Sequence, residues 1–455
     1  MSRLRRRFFF LVAIIVFPVN LFAAEQSDAE KRRDVIRYGL ESDVTALVQT
    51  LQDTKDDSCN ADLADVFTRT KSPTLKESIL AFFSSRKNPA LKDYALSLLA
   101  DPYEASRSTV LSVLSYVQAI QLTDAAPQVR KILEGDNADY RVKAIMTLGK
   151  IGSAEDAGYL LKYMSGDLEG DEKQRLIIRQ TVMDALGELK ATETWDQLVS
   201  IAKDKDENAM IRATAATAIG KMQKPEAIPV LTEIYGESDP VIRGAAIEGL
   251  GNFHTPESDT AVIEGLKDSY YKVRLTALDA VAKQSLSGAV PFVSYRAKTD
   301  PVAAVQIRAY EVLGKLRDAS SDEWLLSILR DEKASDLLRT KAAAVLLENN
   351  RSFVQDDFEK AVLQTVKDDK RKGLRYAFGK IVIDQAVPGT GPIASAFLSS
   401  KDTQTKAIGL SMYEKLRYPE LTATVEAIAA DTKQGELGKR AKKILDAVKI
   451  EPATP

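Results

Sequence analysis

A motif that returns about every 34 residues constrains this chain more than any other feature. It reads Arg-x-x-Ala-x-x-x-Leu-Gly-x-Leu. Clear copies run from Arg141 to Ile151, from Arg212 to Met222 and from Arg243 to Phe253. The copy at Arg179 has Val182 for the alanine, and the copy at Arg274 has Ala282 for the glycine. Looser copies start at Arg33, Lys76, Arg107, Gln306, Arg339, Arg371, Lys406 and Gly438, at intervals of 31 to 43 residues. Positions +3, +7 and +10 fall on one helical stripe. Alanine in that stripe lets a neighbouring helix come close. Glycine at +8 serves the same packing, or the approach to the helix end. A second amphipathic segment precedes each copy, as in Ala227–Tyr235, Thr194–Ala202 and Asp322–Leu329. Two helices per repeat make a hairpin, and a hairpin alone cannot cover its apolar faces, so neighbours must stack. The expected fold is all-α: an α-solenoid of about thirteen stacked helical hairpins over residues 25–450.

The turn inside each hairpin also repeats. Asp239-Pro240 is its cleanest form, with aspartate as helix cap and proline in the first turn, where no amide donor is needed. Asp101-Pro102 and Asp300-Pro301 repeat the pair. Asp268, Asp206, Asp136 and Asp402 stand at similar places before Arg274, Arg212, Arg141 and Lys406. An acid in the turn and a base at the helix start predict a ladder of ion pairs between repeats, fixing register more than adding stability.

These residues resemble the HEAT repeat superfamily, in the short form found in phycocyanobilin-lyase-like proteins. The resemblance spans Arg33 to Val448 and implies a HEAT-like superhelix. It rests on structural residues, so it is specific for fold and weak for function. It implies a scaffold or adaptor most often and an enzyme sometimes. A HEAT-repeat di-iron hydroxylase would need several His-Glu pairs, and this chain has one histidine, His254. A bilin lyase would need a pigment context, and a HEAT-like glycosylase a basic groove.

Residues 1–24 read as a secretory signal peptide. Arg3, Arg5, Arg6 and Arg7 make a basic start, Phe8 to Phe17 is apolar, and small residues end the segment at Ala23 and Ala24. Cleavage is expected after Ala23 or Ala24. The alternative is an uncleaved membrane anchor, for which this stretch is short and broken by Pro18 and Asn20. Without the four arginines the chain has 59 basic and 65 acidic residues. That balance argues against nucleic acid and against docking on anionic lipid.

Cys59 lies too far from residue 24 to carry a lipid, and being single it has no intramolecular partner; it reads as an inert thiol or an intermolecular one. Asp384 to Pro392 has the glycines of a phosphate loop but no lysine and no preceding strand, so it reads as a turn between helices. Nucleophile elbows, paired metal cysteines and zinc-protease motifs are missing from the sequence. The chain is therefore expected not to be an enzyme and to use no cofactor; no catalytic, cofactor-binding or metal residue is assigned. The expected role is a non-catalytic protein–protein interaction scaffold or adaptor, exported to the periplasm or bacterial cell envelope. Its partners are expected to be proteins along the concave face, which the second helices line. The alternative is an exported enzyme on HEAT repeats, lyase- or hydroxylase-like. The partner-binding residues are not fixed by the sequence; departures from the repeat at Ser165–Glu172, around Cys59 and at Tyr270-Tyr271 are the places to look. The basic Gly438–Lys443 segment is expected to cap the C-terminal end, and residues 451–455 to form a disordered tail.

Overall fold

Helices account for every regular element in the computed structural model, which describes residues 27–135, 138–164, 171–348 and 354–450. The 1–24 segment, the 451–455 tail, Asp136 and residues 165–170 lie outside the described residues. None of the described helices is long and apolar enough to cross a membrane.

The chain divides into two units, Met1–Ile151 and Gly152–Pro455. The first holds α1 (Asp28–Tyr38), α2 (Glu41–Thr54), α3 (Asn60–Arg69), α4 (Pro73–Ser85), α5 (Lys92–Ala100), α6 (Arg107–Ala119), α7 (Ala126–Glu134) and α8 (Ala138–Ile151). The second begins with α9 (Ala157–Leu161), α10 (Glu172–Glu188), α11 (Trp195–Lys203), α12 (Ala209–Lys221), α13 (Ala227–Tyr235), α14 (Pro240–Leu250), α15 (Pro256–Gly265), α16 (Tyr271–Gln284) and α17 (Val290–Thr299). It continues with α18 (Ala303–Leu316), α19 (Ala319–Arg330), α20 (Asp336–Leu347), α21 (Gln355–Lys367), α22 (Lys372–Asp384), α23 (Gly391–Leu398), α24 (Thr403–Leu416), α25 (Thr422–Ala430) and α26 (Glu436–Ile450). Each odd-numbered helix packs on the even one that follows, which makes thirteen hairpins among the described residues. Within each unit every even helix also packs on the next even helix.

The motif stripe is the core of this stack. Ala144 and Leu148, Ala215 and Ile219, Ala246 and Leu250, and Ala277 and Val281 are all buried. The +8 glycines serve close packing. A Cβ on Gly187 of α10 would stand 2.9 Å from the Ala218 Cα of α12, and one on Gly220 of α12 would stand 2.6 Å from the Gly249 carbonyl oxygen of α14. α10, α12 and α14 therefore approach backbone to backbone. The odd helices touch one another more sparsely. The even layer is thus the inner side of the stack in unit 2.

The ends of the even helices are made otherwise than the glycine suggests. Among the described residues nine non-glycine positions sit in the left-handed region, among them Lys190, Gln223, Ser285, Arg317 and Ala386, each just past the end of an even helix. There the chain reverses as glycine would allow it to, at a cost of about 1 kcal/mol per residue.

Two motif frames shift. Arg33 lies in α1, an odd helix; the equivalent residue of the first even helix is Val44, 32 residues before Lys76, so the 43-residue interval disappears. The stretch around Cys59 is accordingly no insertion: Cys59 is buried at the start of α3. In α22 the buried arginine is Arg375, one helical turn beyond Arg371, which stays half-buried beside Asp336. At the C-terminus α26 turns Ala441, Ile444 and Leu445 inward and Lys439, Arg440, Lys442 and Lys443 outward, as an end cap requires.

Two substitutions test this packing. Gly220→Ala should destabilise the protein by about 1–3 kcal/mol in denaturant titration, because the added carbon meets backbone; Gly158→Ala, where the space is open, should not. Ala386→Gly should raise stability by about 0.5–1 kcal/mol by relieving a left-handed alanine; a lower denaturation midpoint would contradict the account.

Candidate partner-binding face

An arginine ladder fixes the register of the even helices along their N-terminal ends. Arg179 Nη2 donates to Glu207 at 2.6 Å, and Arg212 Nη2 to Glu237 at 2.5 Å. Arg243 grips Asp268 through Nε and Nη2 at 2.8 and 2.9 Å. Arg274 grips Asp300 the same way, at 2.7 Å for both bonds. Each arginine thus holds an acid in the turn of the following hairpin. Arg243 and Arg274 also donate through Nη1 to carbonyls of their own turns. The planar guanidinium satisfies several acceptors at once, which an ammonium in this place would not.

Asp268, Asp300 and Asp402 are among the acids that pair with bases, as the sequence leads one to expect. In two turns the partner differs. Glu207 replaces Asp206, and Glu237 replaces Asp239, whose carboxylate caps the Val241 amide at 2.7 Å. The Asp-Pro pairs also diverge. Asp239-Pro240 is a true helix start, whereas Pro102 opens a short 3-10 turn and α6 is capped by Ser106. Asp300 stands two residues before Val302, the cap position of α18, and its carboxylate accepts the Val302 amide at 3.0 Å as well as both Arg274 bonds.

The exposed surface of the even helices carries a second set of charges. A cleft of about 370 Å³ opens over α12, α14 and α16, lined by Thr217, Lys221, Glu248, Asn252, Asp279 and Lys283, with Gly251 and Ala280 beneath. Lys221 reaches back to Asp184 and lies 3.0 Å from Glu188. Burial pulls its ammonium down, but the two carboxylates outweigh that and hold it above the usual lysine range. Lys283 donates to Asn252 at 2.7 Å, and Arg308 to Asp279 at 2.7 Å. The Glu248 carboxylate is exposed and has no ion-pair partner among the described residues. The cleft offers donors, acceptors and one free carboxylate at helix spacing.

The other residues singled out in the sequence do not join this face. Tyr270 and Tyr271 are half-buried, their rings 5.2 Å apart, and Tyr270 precedes α16 as part of the turn. His254 is exposed, its Nδ1 3.4 Å from Asp259. The Asp384–Pro392 segment is a turn between α22 and α23, with Gly389 left-handed and Gln355 donating to the Pro388 carbonyl. Of the Ser165–Glu172 stretch, Asp171 and Glu172 are described; Asp171 caps α10 and Glu172 begins it. The cleft residues were missed because each alone looks like ordinary helix surface. Aligning the repeats at the arginine would have brought Lys221, Asn252 and Lys283 together, each nine residues beyond its arginine.

Serial hairpins, an inner layer of small residues and arginines recurring near the starts of the even helices together define a HEAT-repeat α-solenoid. More narrowly, the chain belongs to the spirochaete HEAT repeat protein family, whose pattern matches residues 36–444. It is 24% identical over 306 residues to deoxyhypusine hydroxylase of Candida albicans, covering 63% of this chain and 90% of that protein. Among solved structures it is similar to the complex of CpcE and CpcF of phycocyanin lyase from Nostoc, with a TM-score of 0.30 and 18% identity over 57% of this chain and 93% of that one. It is also similar to Kap121p bound to Nup53p, with a TM-score of 0.41 and 12% identity over 93% of this chain and 53% of that one.

The expectation that the chain is not an enzyme is corrected by the Candida relative, which is by name a hydroxylase. The repeat framework is the same with or without a catalytic set mounted on it, so a missing catalytic motif does not separate the two. The His-Glu set of a di-iron centre does not fit the residues present. His254 is the sole imidazole, and among the described residues no group of three or more His, Cys, Asp or Glu is placed to hold a metal ion.

Two measurements check the ladder. Asp300→Asn strands the Arg274 guanidinium in the interior and should cost about 3 kcal/mol of unfolding free energy, with Arg274→Met in the same chain recovering much of it. Asp268 gives a pH signature. Burial would raise its carboxyl, but the Arg243 bond, the Tyr270 amide and the nearby Arg274 charge outweigh that and hold it below the usual range. A depressed folded value adds stability that is full above the unfolded value of about 3.9 and fades as pH falls below it. Asp268→Asn should therefore flatten the loss of stability below about pH 4; an unchanged acid limb would refute the assignment.

Proposed function

We propose that the face built by α12, α14 and α16 docks a segment of a partner protein, and that the chain works as a scaffold or adaptor in the bacterial cell envelope. The observation that carries the docking reading is the cleft between Lys221, Glu248, Asp279 and Lys283. It presents charges of both signs with one carboxylate unpaired, a pattern that suits the main-chain amides and charged side chains of a peptide segment. Repetition of the inner layer extends such a surface from hairpin to hairpin, which favours extended partners. The envelope location is supported by the basic start and apolar run of residues 3–17, followed by small residues at Ala23 and Ala24.

A second reading, an exported enzyme on the same repeats, draws on the hydroxylase relative. A turnover assay for hydroxylase activity on the purified protein separates the two, since turnover would favour the enzyme.

Lysine-reactive crosslinking in intact envelopes, read by mass spectrometry, tests the docking. Lys221 and Lys283 should link to one recurring protein, and Glu248→Lys with Asp279→Lys should abolish those links. Links confined to first-helix lysines such as Lys203 and Lys298 would sink the proposal. N-terminal sequencing of native protein should find a start at Ala24 or Glu25; a start at Met1 in cytoplasmic fractions would sink the envelope half.

A further inference from the structure

Ile177, Met210 and Val241 occupy one register position, two residues ahead of Arg179, Arg212 and Arg243. They are exposed at 40, 49 and 43%. A single exposed apolar side chain needs no explanation. Three in equivalent places on three consecutive packed helices make a row. The next repeat puts Lys272 there, and the row ends. Packed neighbouring helices stand about 8–10 Å apart, so the row advances by about 9 Å per helix.

Charge borders this row. The two hairpin turns beside it, 204–208 and 236–239, carry five acids (Asp204, Asp206, Glu207, Glu237 and Asp239) and one base, Lys205. Glu207 and Glu237 are taken by the arginine ladder. Three carboxylates then face one ammonium, with no ion pair among the described residues.

We infer that the N-terminal ends of α10, α12 and α14 dock a basic amphipathic helix of a partner protein, with apolar anchors at every seventh position over Ile177, Met210 and Val241 and with lysine or arginine toward the acidic turns. The inference rests on the reading that the chain docks protein segments, but it uses a surface distinct from the cleft. An α-helix accommodates the spacing. Seven residues at about 1.5 Å each advance about 10.5 Å and return to nearly the same face. A strand returns to one face after about 6.6 or 13 Å and misses the step. A polyproline helix would match at about 9.3 Å, but its receptors use aromatic grooves, and the row contains no ring.

The test uses the full chain and a fluorescent synthetic helix of about three heptads, with leucine at every seventh position and lysine on both flanks. Its twin carries glutamate for lysine. In anisotropy titrations the lysine helix should bind, and the glutamate twin at least about tenfold more weakly. Met210→Glu and Val241→Glu should each weaken the lysine helix by about tenfold or more, with melting temperatures unchanged. Equal binding of the twin, or indifference to both substitutions, would overturn the inference. So would Met210-dependent binding to anionic phospholipid vesicles, which would assign the row to a membrane, or Met210-dependent self-association, which would assign it to a second copy. Asp279→Lys in the cleft should leave helix binding intact; if it abolishes binding, the row is not a separate site. If crosslinking finds no partner at the cleft while the helix still binds the row, only the cleft reading fails.

Discussion

Close approach of the even helices is the constraint on which the rest of the structure depends. Gly187 against Ala218 and Gly220 against Gly249 let successive backbones meet where ordinary side chains would hold them apart. The even layer consequently packs more tightly than the odd one and forms the inner side of unit 2. The same closeness makes the surface chemistry collective. Lys221 can reach the acids of α10, and Arg308 the acid of α16, because the neighbouring helix is near enough for one side chain to span. The cleft over α12, α14 and α16 follows from this, since small residues form its base and longer charged ones its rim.

The arginines complete the register that packing begins. Arg212, Arg339 and Arg375 are buried and each donates to a carbonyl ten residues back, at the end of the preceding odd helix. The guanidinium ties the two helices of its hairpin together before it reaches for the next. Where the acids of the next turn are engaged elsewhere, as Asp368 and Asp369 are, the motif changes character. Arg339 leaves Nη2 without a hydrogen-bond partner and lies 5.9 Å from the Phe378 ring of α22. Burial and the nearby Arg371 both hold its guanidinium below the usual arginine range. The ladder is therefore strongest from Arg179 to Arg274 and weaker beyond.

Much of this was legible in the sequence, and the reasons for success and failure are physical. The hairpin number came through because the arginine, alanine and leucine positions answer to packing that every repeat shares. The frame slipped at Arg371 because a shift of four residues keeps the same helix face, so apolar periodicity cannot tell Arg371 from Arg375. It slipped at Arg33 because α1 is amphipathic enough to imitate an even helix. Ladder acids were legible where one acid stood in the turn, as at Asp268, and not where two competed. In the turn before α14 Asp239 caps the helix and Glu237 takes the arginine, an allocation only geometry decides. The left-handed residues past the even helices were invisible because lysine, glutamine and alanine carry no turn signal. The row of Ile177, Met210 and Val241 was hidden because each looks, alone, like a core position.

One feature of the ladder bears on how unit 2 would yield under load. The carboxylate that each ladder arginine from Arg179 to Arg274 holds lies in the turn immediately after its own, and none skips a hairpin. Tension applied at one end is then carried by one guanidinium–carboxylate link at a time. Rupture of a link frees a single hairpin and leaves its successor's link intact, so extension would proceed in even steps, like a chain surrendering one loop after another.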